Sequence, residues 1–381
     1  MYTVGLEEEY FVFDVRSRRA VTRVNKRFLV RARQRLGDRV TTEMLQSQIE
    51  AVTPPCRSMR EAREHLVSFR EALAEAGDEY GIGIAAVGTF PLAFWPEQTI
   101  TRKPRYDEIL NDLQMIGLRN MMCGMHVHVE VADPNKRIDL MMRLIPYVPL
   151  LLALSTSSPF WQGHLTGLRG YRLAGYSELP RTGLPELFRT QADFDSYVSA
   201  LVRAGIIPDA SYIWWALRPS SRYPTLELRV ADSCTRVDDA VAIAALFRCL
   251  VRALDRDTAR NAGFDQVGRA ITEENKWHAQ RHGTAAAFIE PFRRCRLTTA
   301  EWLEEVTAFT AEDAAALDCE AEIAHLAKVV RHGTSADEQI KVYNAAKAAG
   351  RGRMTAIKDV VDWAARTTRN GRASPSLPRP L

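Results

Sequence analysis

The sequence lacks a long uninterrupted apolar run, a paired cysteine motif and a clear excess of either charge. Its most apolar stretch, residues 144–161, is broken by three prolines and is shorter than the roughly 20 apolar residues that a membrane-spanning helix needs. Lysine and arginine total 51 against 47 aspartate and glutamate, and they form no basic stripe of the kind that binds nucleic acid. We therefore predict a globular protein with no membrane and no nucleic-acid partner.

Other common signals are missing as well. The six cysteines lie far apart without a C-x-x-C pair, which predicts buried free thiols rather than a zinc knuckle or a redox dithiol. The N terminus carries Glu7, Glu8 and Glu9 instead of the basic start of a secretory signal, so a cytoplasmic location is predicted. The phosphate-binding loop GxxxxGK[ST] is absent, and residues 81–88 do not fit GxGxxG. If a nucleotide binds, metal ions and arginines must hold its phosphates.

The order of the predicted elements favours an α+β fold. Extended patterns cover residues 4–15, 44–52, 82–87, 125–131 and 225–230, and helical patterns cover 58–80, 106–122, 137–154, 237–256 and most of 298–368. Because strands and helices do not alternate regularly, an antiparallel sheet with helices on one face fits better than a doubly wound parallel sheet.

Three further local features complete the predicted organisation. Residues 235–238 have the pattern of a capping box at the start of a helix. Residues 159–185 are rich in glycine, proline and aromatic residues, and we predict a long loop that acts as a lid or substrate loop. Residues 1–368 are predicted to form one catalytic domain, and the basic, proline-containing residues 369–381 a disordered tail.

The first chemical signal is the acidic run at Glu7, Glu8 and Glu9. Side chains alternate along a strand, so Glu7 and Glu9 share one face and Glu8 lies on the other. Two unpaired carboxylates are expensive to bury, and a divalent cation between them would remove the cost. The alternative is a solvated sheet edge with paired lysine or arginine.

The second signal is the alternating run at residues 123–130. It places His126, His128 and Glu130 on one face of a strand, with apolar residues on the other. Two histidines spaced in this way are found in Zn²⁺-dependent hydrolases. An ordinary half-exposed strand would show the same pattern.

The third signal joins Arg218 to the strand at 225–230, where Glu227 and Arg229 share a face. The pair could be a simple ion pair, or Glu227 could bind a metal while Arg229 clamps a phosphate or carboxylate with its planar fork. Three strands of this kind could line one face of a sheet. Such an oxygen-rich set suits Mg²⁺ better than Zn²⁺ and points to nucleotide phosphates.

Taken in order, these motifs resemble the carboxylate–amine ligases of the glutamate–cysteine ligase type 2 family, in its YbdK-like subfamily. The resemblance extends from residue 4 to about residue 368 and includes the blocks at 5–10, 46–54, 123–129, 153–161, 214–220, 225–229 and 275–281. It implies a glutamine-synthetase-like catalytic fold, in which a curved antiparallel sheet forms a funnel with helices on its outer face. It also implies ATP and Mg²⁺ as cofactors.

Carried onto this chain, the resemblance implies particular site residues. The implied metal ligands are Glu7, Glu9, Glu43, Glu50, His126 and Glu227. The implied nucleotide contacts are Arg218, Arg229 and Arg281, and Arg229 and Glu50 are the implied catalytic residues.

The activity implied is ATP-dependent joining of an amino acid carboxylate, glutamate-like, to an amine through an acyl phosphate. Weak glutamate–cysteine ligation belongs to this activity, and a homo-oligomer is compatible with it. Glu130, His164 and Ala216 depart from the family pattern, so the substrates are not carried over. The alternatives are a Zn²⁺-dependent hydrolase that uses His126 and His128, and a binding protein without activity.

Overall fold

The structure is a computed structural model, and it describes residues 2–369. The predicted tail, apart from Arg369, lies outside the described residues. The strands are β1 Val4–Asp14, β2 Val40–Thr42, β3 Gln48–Val52, β4 Ile82–Ala85, β5 Met125–Glu130, β6 Phe160–Trp161, β7 His164–Leu165, β8 Leu217–Pro219, β9 Thr225–Leu228, β10 Ala287–Ile289 and β11 Arg296–Thr298.

The main sheet is antiparallel, as predicted. Within residues 2–369 its strand order is β2-β3-β1-β5-β9-β8, and β4 pairs with the C-terminal end of β1, on the side opposite to β3. The side chains of β1 at Val4, Leu6, Tyr10 and Val12 are buried in the core. The alternate residues of β1 therefore face away from this core, and the pairing register decides what they meet there.

The helices surround this sheet. They are α1 Lys26–Leu36, α2 Met59–Asp78, α3 Pro104–Leu113, α4 Met115–Leu118, α5 Pro134–Leu144, α6 Val148–Ser155, α7 Tyr171–Tyr176, α8 Gln191–Arg203, α9 Val237–Arg256, α10 Gln266–His282, α11 Thr299–Phe309, α12 Ala311–Ala316, α13 Glu320–His332, α14 Ser335–Ala348 and α15 Arg353–Thr368.

Helices α2 and α9 pack against each other and against β1. Helix α2 begins after the N-cap Ser58, whose side chain accepts a hydrogen bond from the backbone of Glu61. It buries Ala62, Leu66 and Phe69 at helical spacing, and each large apolar side chain contributes roughly 1.5–3 kcal/mol by leaving water. The α+β layer arrangement predicted from the sequence is confirmed.

The middle glutamate of the acidic run lies on the core face. Glu8 and Arg70 form an ion pair in which both side chains are fully buried. Tyr10 also donates to Glu8, and Arg70 donates to the carbonyl oxygen of Thr235 at 2.7 Å. Because these partners satisfy the buried charges, Glu8 has a structural environment different from that of its two neighbours.

Several predicted element boundaries were wrong. The helix predicted at 106–122 ends at Leu113, because Gln114 has a φ of 49°, and only the short α4 follows. The helix predicted at 137–154 is two helices, separated by the turn Ile145–Tyr147. The strand predicted at 44–52 is confined to β3, and a tight turn precedes it.

The capping box at 235–238 is also absent from the described structure. Helix α9 has Arg236 at its N-cap, without a side-chain capping bond. The hydroxyl of Thr235 instead donates to the carbonyl oxygen of Ala86 at 2.8 Å. The hydroxyl that the local sequence predicts as a helix cap therefore bonds to a residue that is distant in the sequence.

Residues 159–185 are more ordered than a long loop. They contain the β6–β7 pair and helix α7.

The stretch at 134–155 is long and apolar enough to cross a membrane by composition, but 94% of its apolar window is buried inside the protein. All six cysteines are free, and all but Cys295 are buried, as predicted.

Candidate active site

One face of the main sheet carries a row of charged side chains across four adjacent strands. Glu9 on β1 lies opposite Glu50 on β3, and Glu7 lies opposite His126 on β5. The next pairing places Glu227 on β9 opposite His128. The antiparallel register therefore gathers motifs that are far apart in the chain.

Glu7 is the centre of two groups of possible metal ligands. In one group Glu7 meets Glu50 and His126, and in the other it meets His128 and Glu227, with the ligand atoms of each group within 4.8 Å of one another. Oε2 of Glu7 lies 3.0 Å from Nδ1 of His126, and Oε1 lies 3.2 Å from Nε2 of His128. A single carboxylate thus joins the two groups.

The histidine on the first group is suited to metal binding. Burial, together with the nearby Arg229 charge, lowers the pKa of His126 to about 4. A neutral imidazole whose Nδ1–H donates a hydrogen bond to Glu7 has its Nε2 lone pair free to bind a cation. That nitrogen lies 3.9 Å from Oε1 of Glu9.

The electrostatics of the carboxylates differ along the row. Burial would raise the pKa of Glu7, but hydrogen bonds from His126 and His128 outweigh it and hold this pKa well below its usual range. Burial raises the pKa of Glu9 to about 7, with the Glu43 charge adding to the shift.

Burial and nearby carboxylates disfavour the ionised forms of Glu50 and Glu43. Burial raises the pKa of Glu50 well above its usual range, and repulsion from Glu43, Glu7 and Glu9 adds to it. Burial likewise raises the pKa of Glu43. Like unit charges 4 Å apart repel by about 4 kcal/mol at a protein-like dielectric constant, so the cluster favours a cation over four bare carboxylates.

Arg218 and Arg229 both hold Glu227. Arg218 donates to the Glu227 carboxylate through Nε at 2.8 Å and Nη2 at 3.2 Å, and Arg229 donates to the same group. Burial would raise the pKa of Glu227, but these two arginines hold it well below its usual range. The ion pair that the sequence left open is present, and it lies within the charged row.

Two cavities meet at this row. The first, of about 260 Å³, lies between the row and helix α3, and its walls include Tyr106, Tyr176 and Trp214. The second, of about 790 Å³, lies beyond the row and includes Arg39 and Arg222. Glu7, Glu50 and Arg218 line both cavities.

The sequence motifs did not single out several residues of the first cavity. Arg172 and Tyr176 reach it from helix α7, and Arg105 and Tyr106 from α3. Helix α7 lies in the segment predicted as a loop. No periodic pattern in that segment indicates which face of the helix points toward the cavity. Pairing of an arginine and a tyrosine four residues apart is the one signal that could have indicated it.

Arg281 lies apart from the charged row. Its Nη1 donates to the carbonyl oxygen of Gly167 at 2.5 Å, and it is not among the described residues that line the two cavities. Its nucleotide contact stays a prediction.

The three departures from the family pattern have different surroundings. Glu130 accepts hydrogen bonds from the backbone and hydroxyl of Thr3. His164 is exposed, and its Nδ1 lies 3.1 Å from Nη1 of Arg353. Ala216 lies beside Trp214 and Arg229, behind the first cavity.

Comparison with known proteins gives a match along almost the whole chain. The family model described as glutamate–cysteine ligase family 2 matches residues 3–360. The chain belongs to this family. A Bradyrhizobium diazoefficiens protein provisionally named glutamate–cysteine ligase 2 is 48% identical to this chain over 372 residues. The match covers 98% of this chain and 85% of the Bradyrhizobium protein. A Rhodospirillum rubrum protein with the same provisional name is 43% identical, covering 95% and 94%.

Solved structures support the same fold for the ligase. The glutamate–cysteine ligase of Francisella tularensis in complex with AMP has a TM-score of 0.70 at 12% identity, covering 97% of this chain and 89% of that one. A bifunctional glutathione synthetase from Pasteurella multocida has a TM-score of 0.67 at 14% identity, covering 96% and 52%. At such identities the likeness concerns the fold alone.

This chain is an ATP-dependent carboxylate–amine ligase. Its family and its curated relatives carry this class of activity in their names, and nothing in the comparisons supports the Zn²⁺-dependent hydrolase that the two histidines left open.

Proposed function

We propose that this ligase uses Mg²⁺ and ATP to join a glutamate-like carboxylate to an amine at the charged row. The observation that carries the proposal is the convergence of Glu7, Glu9 and Glu50 with His126 on one sheet face. Their oxygen-rich donor set fits a hard divalent cation. The raised pKa values of Glu9 and Glu50 show how unfavourable the same cluster is when its charges have only each other as neighbours.

The ligand assignment follows the two groups that share Glu7. Glu7, Glu50 and His126 would hold one ion, with Glu9 and Glu43 beside them, and Glu227 with His128 would hold a second. When bound, Mg²⁺ supplies positive charge to the phosphates and lowers the cost of charge that develops during phosphoryl transfer. Glu50 would act through the ion that it holds.

Arg218 of β8 and Arg229, which directly follows β9, would hold anions. Nη1 of Arg229 lies 3.4 Å from Nδ1 of His126, and Arg229 lines the first cavity. Its fork can therefore reach a phosphate or the substrate carboxylate. Arg218 lines both cavities and would act where the two substrates meet. Both side chains are fixed by Glu227, which limits the reorganisation required when an anion binds.

The reaction then proceeds in two balanced steps. A carboxylate oxygen attacks the γ-phosphorus of ATP, the bond to the β-phosphate oxygen breaks, and ADP leaves with that electron pair. The amine next attacks the acyl carbon, phosphate leaves with the bridging oxygen, and the proton lost by the amine passes to the released phosphate or to solvent, which gives the amide. The first cavity would shield the reactive acyl group from water.

The walls of the first cavity suggest how the substrates are enclosed. Tyr176 of helix α7 accepts a hydrogen bond from Nη2 of Arg229 at 3.4 Å, so this part of the segment 159–185 is a fixed wall in the proposal. The hairpin of β6 and β7 is not among the described residues that line the two cavities, so its role as a lid stays a prediction. We also propose a cytoplasmic location.

A screen of amino acid pairs for ATP-dependent phosphate release tests the proposal. Glutamate with cysteine is the first pair, followed by glutamate with other amines and by other acids with cysteine. We expect phosphate release that requires Mg²⁺, ATP, an acid and an amine together. Phosphate release that ignores the amine and the acid across the whole screen would contradict the ligase assignment of this site.

A further inference from the structure

The guanidinium of Arg172 lies beside the charged row, at the wall of the first cavity, where helix α7 meets the chain just before β5 and just after β9. The residue is only 2% exposed. Its Nη1 donates to the carbonyl oxygens of Arg229, Val230 and Ala231 at 3.2–3.3 Å, and its Nη2 also reaches the carbonyl of Arg229 at 3.3 Å. A buried cation that gives its donors to consecutive carbonyls fixes the path of the chain that leaves β9.

The same guanidinium packs against Gly124 at the start of β5. A Cβ atom on Gly124 would lie 2.3 Å from Nη2 and 2.8 Å from Cζ of Arg172, so the guanidinium occupies the space of a side chain. The backbone N–H of Gly124 donates to Oε2 of Glu9 at 2.6 Å. Arg172 therefore touches the residue whose peptide orients Glu9.

Arg172 is itself held from both ends. Its backbone N–H donates to the hydroxyl of Ser158 at 3.0 Å, and that hydroxyl donates to the buried Asp232 at 2.6 Å. Its guanidinium lies 5.5 Å from the ring of Tyr176, which also accepts a hydrogen bond from Arg229. The side chain is thus a rigid support rather than a mobile surface arginine.

We propose that Arg172 is a positioning residue for metal binding in this ligase. Through Gly124 it sets the direction of the Glu9 carboxylate, and through the carbonyls after β9 it sets the position of Arg229. The inference rests on the proposed function, because it takes Glu9 as part of the metal site. Its distinctive consequence is that Gly124 and Arg172 act as one unit.

A double-mutant cycle with Gly124→Ala and Arg172→Ala tests this coupling. The affinity for Mn²⁺, which accepts the same oxygen ligands as Mg²⁺, is measured from the loss of the free-ion electron paramagnetic resonance signal. Gly124→Ala must displace the guanidinium and should weaken Mn²⁺ binding by roughly tenfold, as loss of an outer-sphere partner does. Phosphate release from ATP with the best substrate pair is measured in parallel.

The double variant gives the decisive comparison. Without the guanidinium, the new methyl group meets only the carbonyl oxygen of Ala231 at 3.3 Å, so Gly124→Ala should add less than about a twofold loss to Arg172→Ala. Gly263→Ala is the matched control, because a Cβ there meets open space, and it should bind Mn²⁺ like the wild type.

Two results would overturn the role of Arg172: wild-type Mn²⁺ affinity in Gly124→Ala, or losses that multiply in the double variant. If Arg172→Ala does not fold, as judged by thermal unfolding, the Gly124→Ala measurement against its control decides alone. A wild-type protein that neither binds Mn²⁺ nor releases phosphate would instead contradict the proposed function. The two failures are therefore distinguishable.

Discussion

At the scale of single residues, Glu9 combines a structural tie with an unfavourable charge. Its Oε2 accepts the Gly124 N–H, yet burial and the Glu43 charge raise its pKa to about 7. Such a group gains most from a bound cation. Its contribution to catalysis should therefore exceed its contribution to stability.

We expect Glu9→Gln to fold and to lose at least roughly 100-fold in the rate of ATP-dependent phosphate release. The amide keeps the shape of the side chain but removes a charge from the metal cluster. Steady-state kinetics over a range of Mg²⁺ concentrations checks this, together with thermal unfolding. Glu130→Gln is the control, since Glu130 bonds to Thr3 outside the cavities, and near-normal turnover with unchanged Mg²⁺ dependence in Glu9→Gln would contradict the metal role.

Arg229→Lys separates an anion clamp from a purely structural ion pair. Lysine keeps the positive charge beside Glu227 but lacks the planar fork, so we expect the rate to fall roughly 100-fold while Arg218 still holds Glu227. The melting temperature should fall little. Arg252→Lys, which alters a pair with Asp313 away from the row, should leave the rate unchanged. Wild-type turnover and KM values in Arg229→Lys would reassign Arg229 to structure.

At the scale of elements, helix α2 shows how the apolar layer supports the charged face. Leu66 is fully buried on the core side, and Leu66→Ala should lower the free energy of unfolding by about 2–5 kcal/mol through lost contacts and a cavity. Urea unfolding measures this, with exposed Leu165→Ala as the control. The remaining folded protein should bind Mn²⁺ normally, and an unchanged unfolding free energy would show that α2 is not a core element.

Strict alternation predicted β5 and a short run of apolar residues predicted β1, and side chains along both strands point to alternate faces with a period of two. The facing of Glu7 and Glu9 and the separate environment of Glu8 followed from that period. The helix at 106–122 was overpredicted because a single positive φ at Gln114 leaves the apolar pattern intact. The role of Thr235 was missed for another reason: its partner, Ala86, is distant in sequence.

The site itself was only partly predictable. The sheet register brings six of the predicted site residues together, namely Glu7, Glu9, Glu50, His126, Arg218 and Glu227. Arg229 follows directly after β9. Register follows from pairings between distant segments, so sequence patterns alone could not place these strands side by side; the family resemblance supplied that order. Arg172 escaped notice because it lies on a short helix in a segment without periodicity.

At the scale of the whole molecule, the charged row lies between two cavities that share Glu7, Glu50 and Arg218. This arrangement suits a reaction in which separate substrates approach one charged row. We expect MgATP to raise the melting temperature, because a ligand at 100 times its Kd adds about 2.7 kcal/mol to stability. Thermal shift assays with MgATP and with Zn²⁺ check this, and stabilisation by Zn²⁺ alone would favour hydrolase chemistry.

The most direct test of the central claim follows an oxygen atom. The first step transfers a phosphoryl group to the substrate carboxylate, so one carboxylate oxygen must leave with the released phosphate. With ¹⁸O-labelled carboxylate in the best acid of the screen, MgATP and the amine, mass spectrometry of the phosphate should find one labelled oxygen per molecule of amide formed. Amide formation with unlabelled phosphate would contradict the acyl-phosphate account.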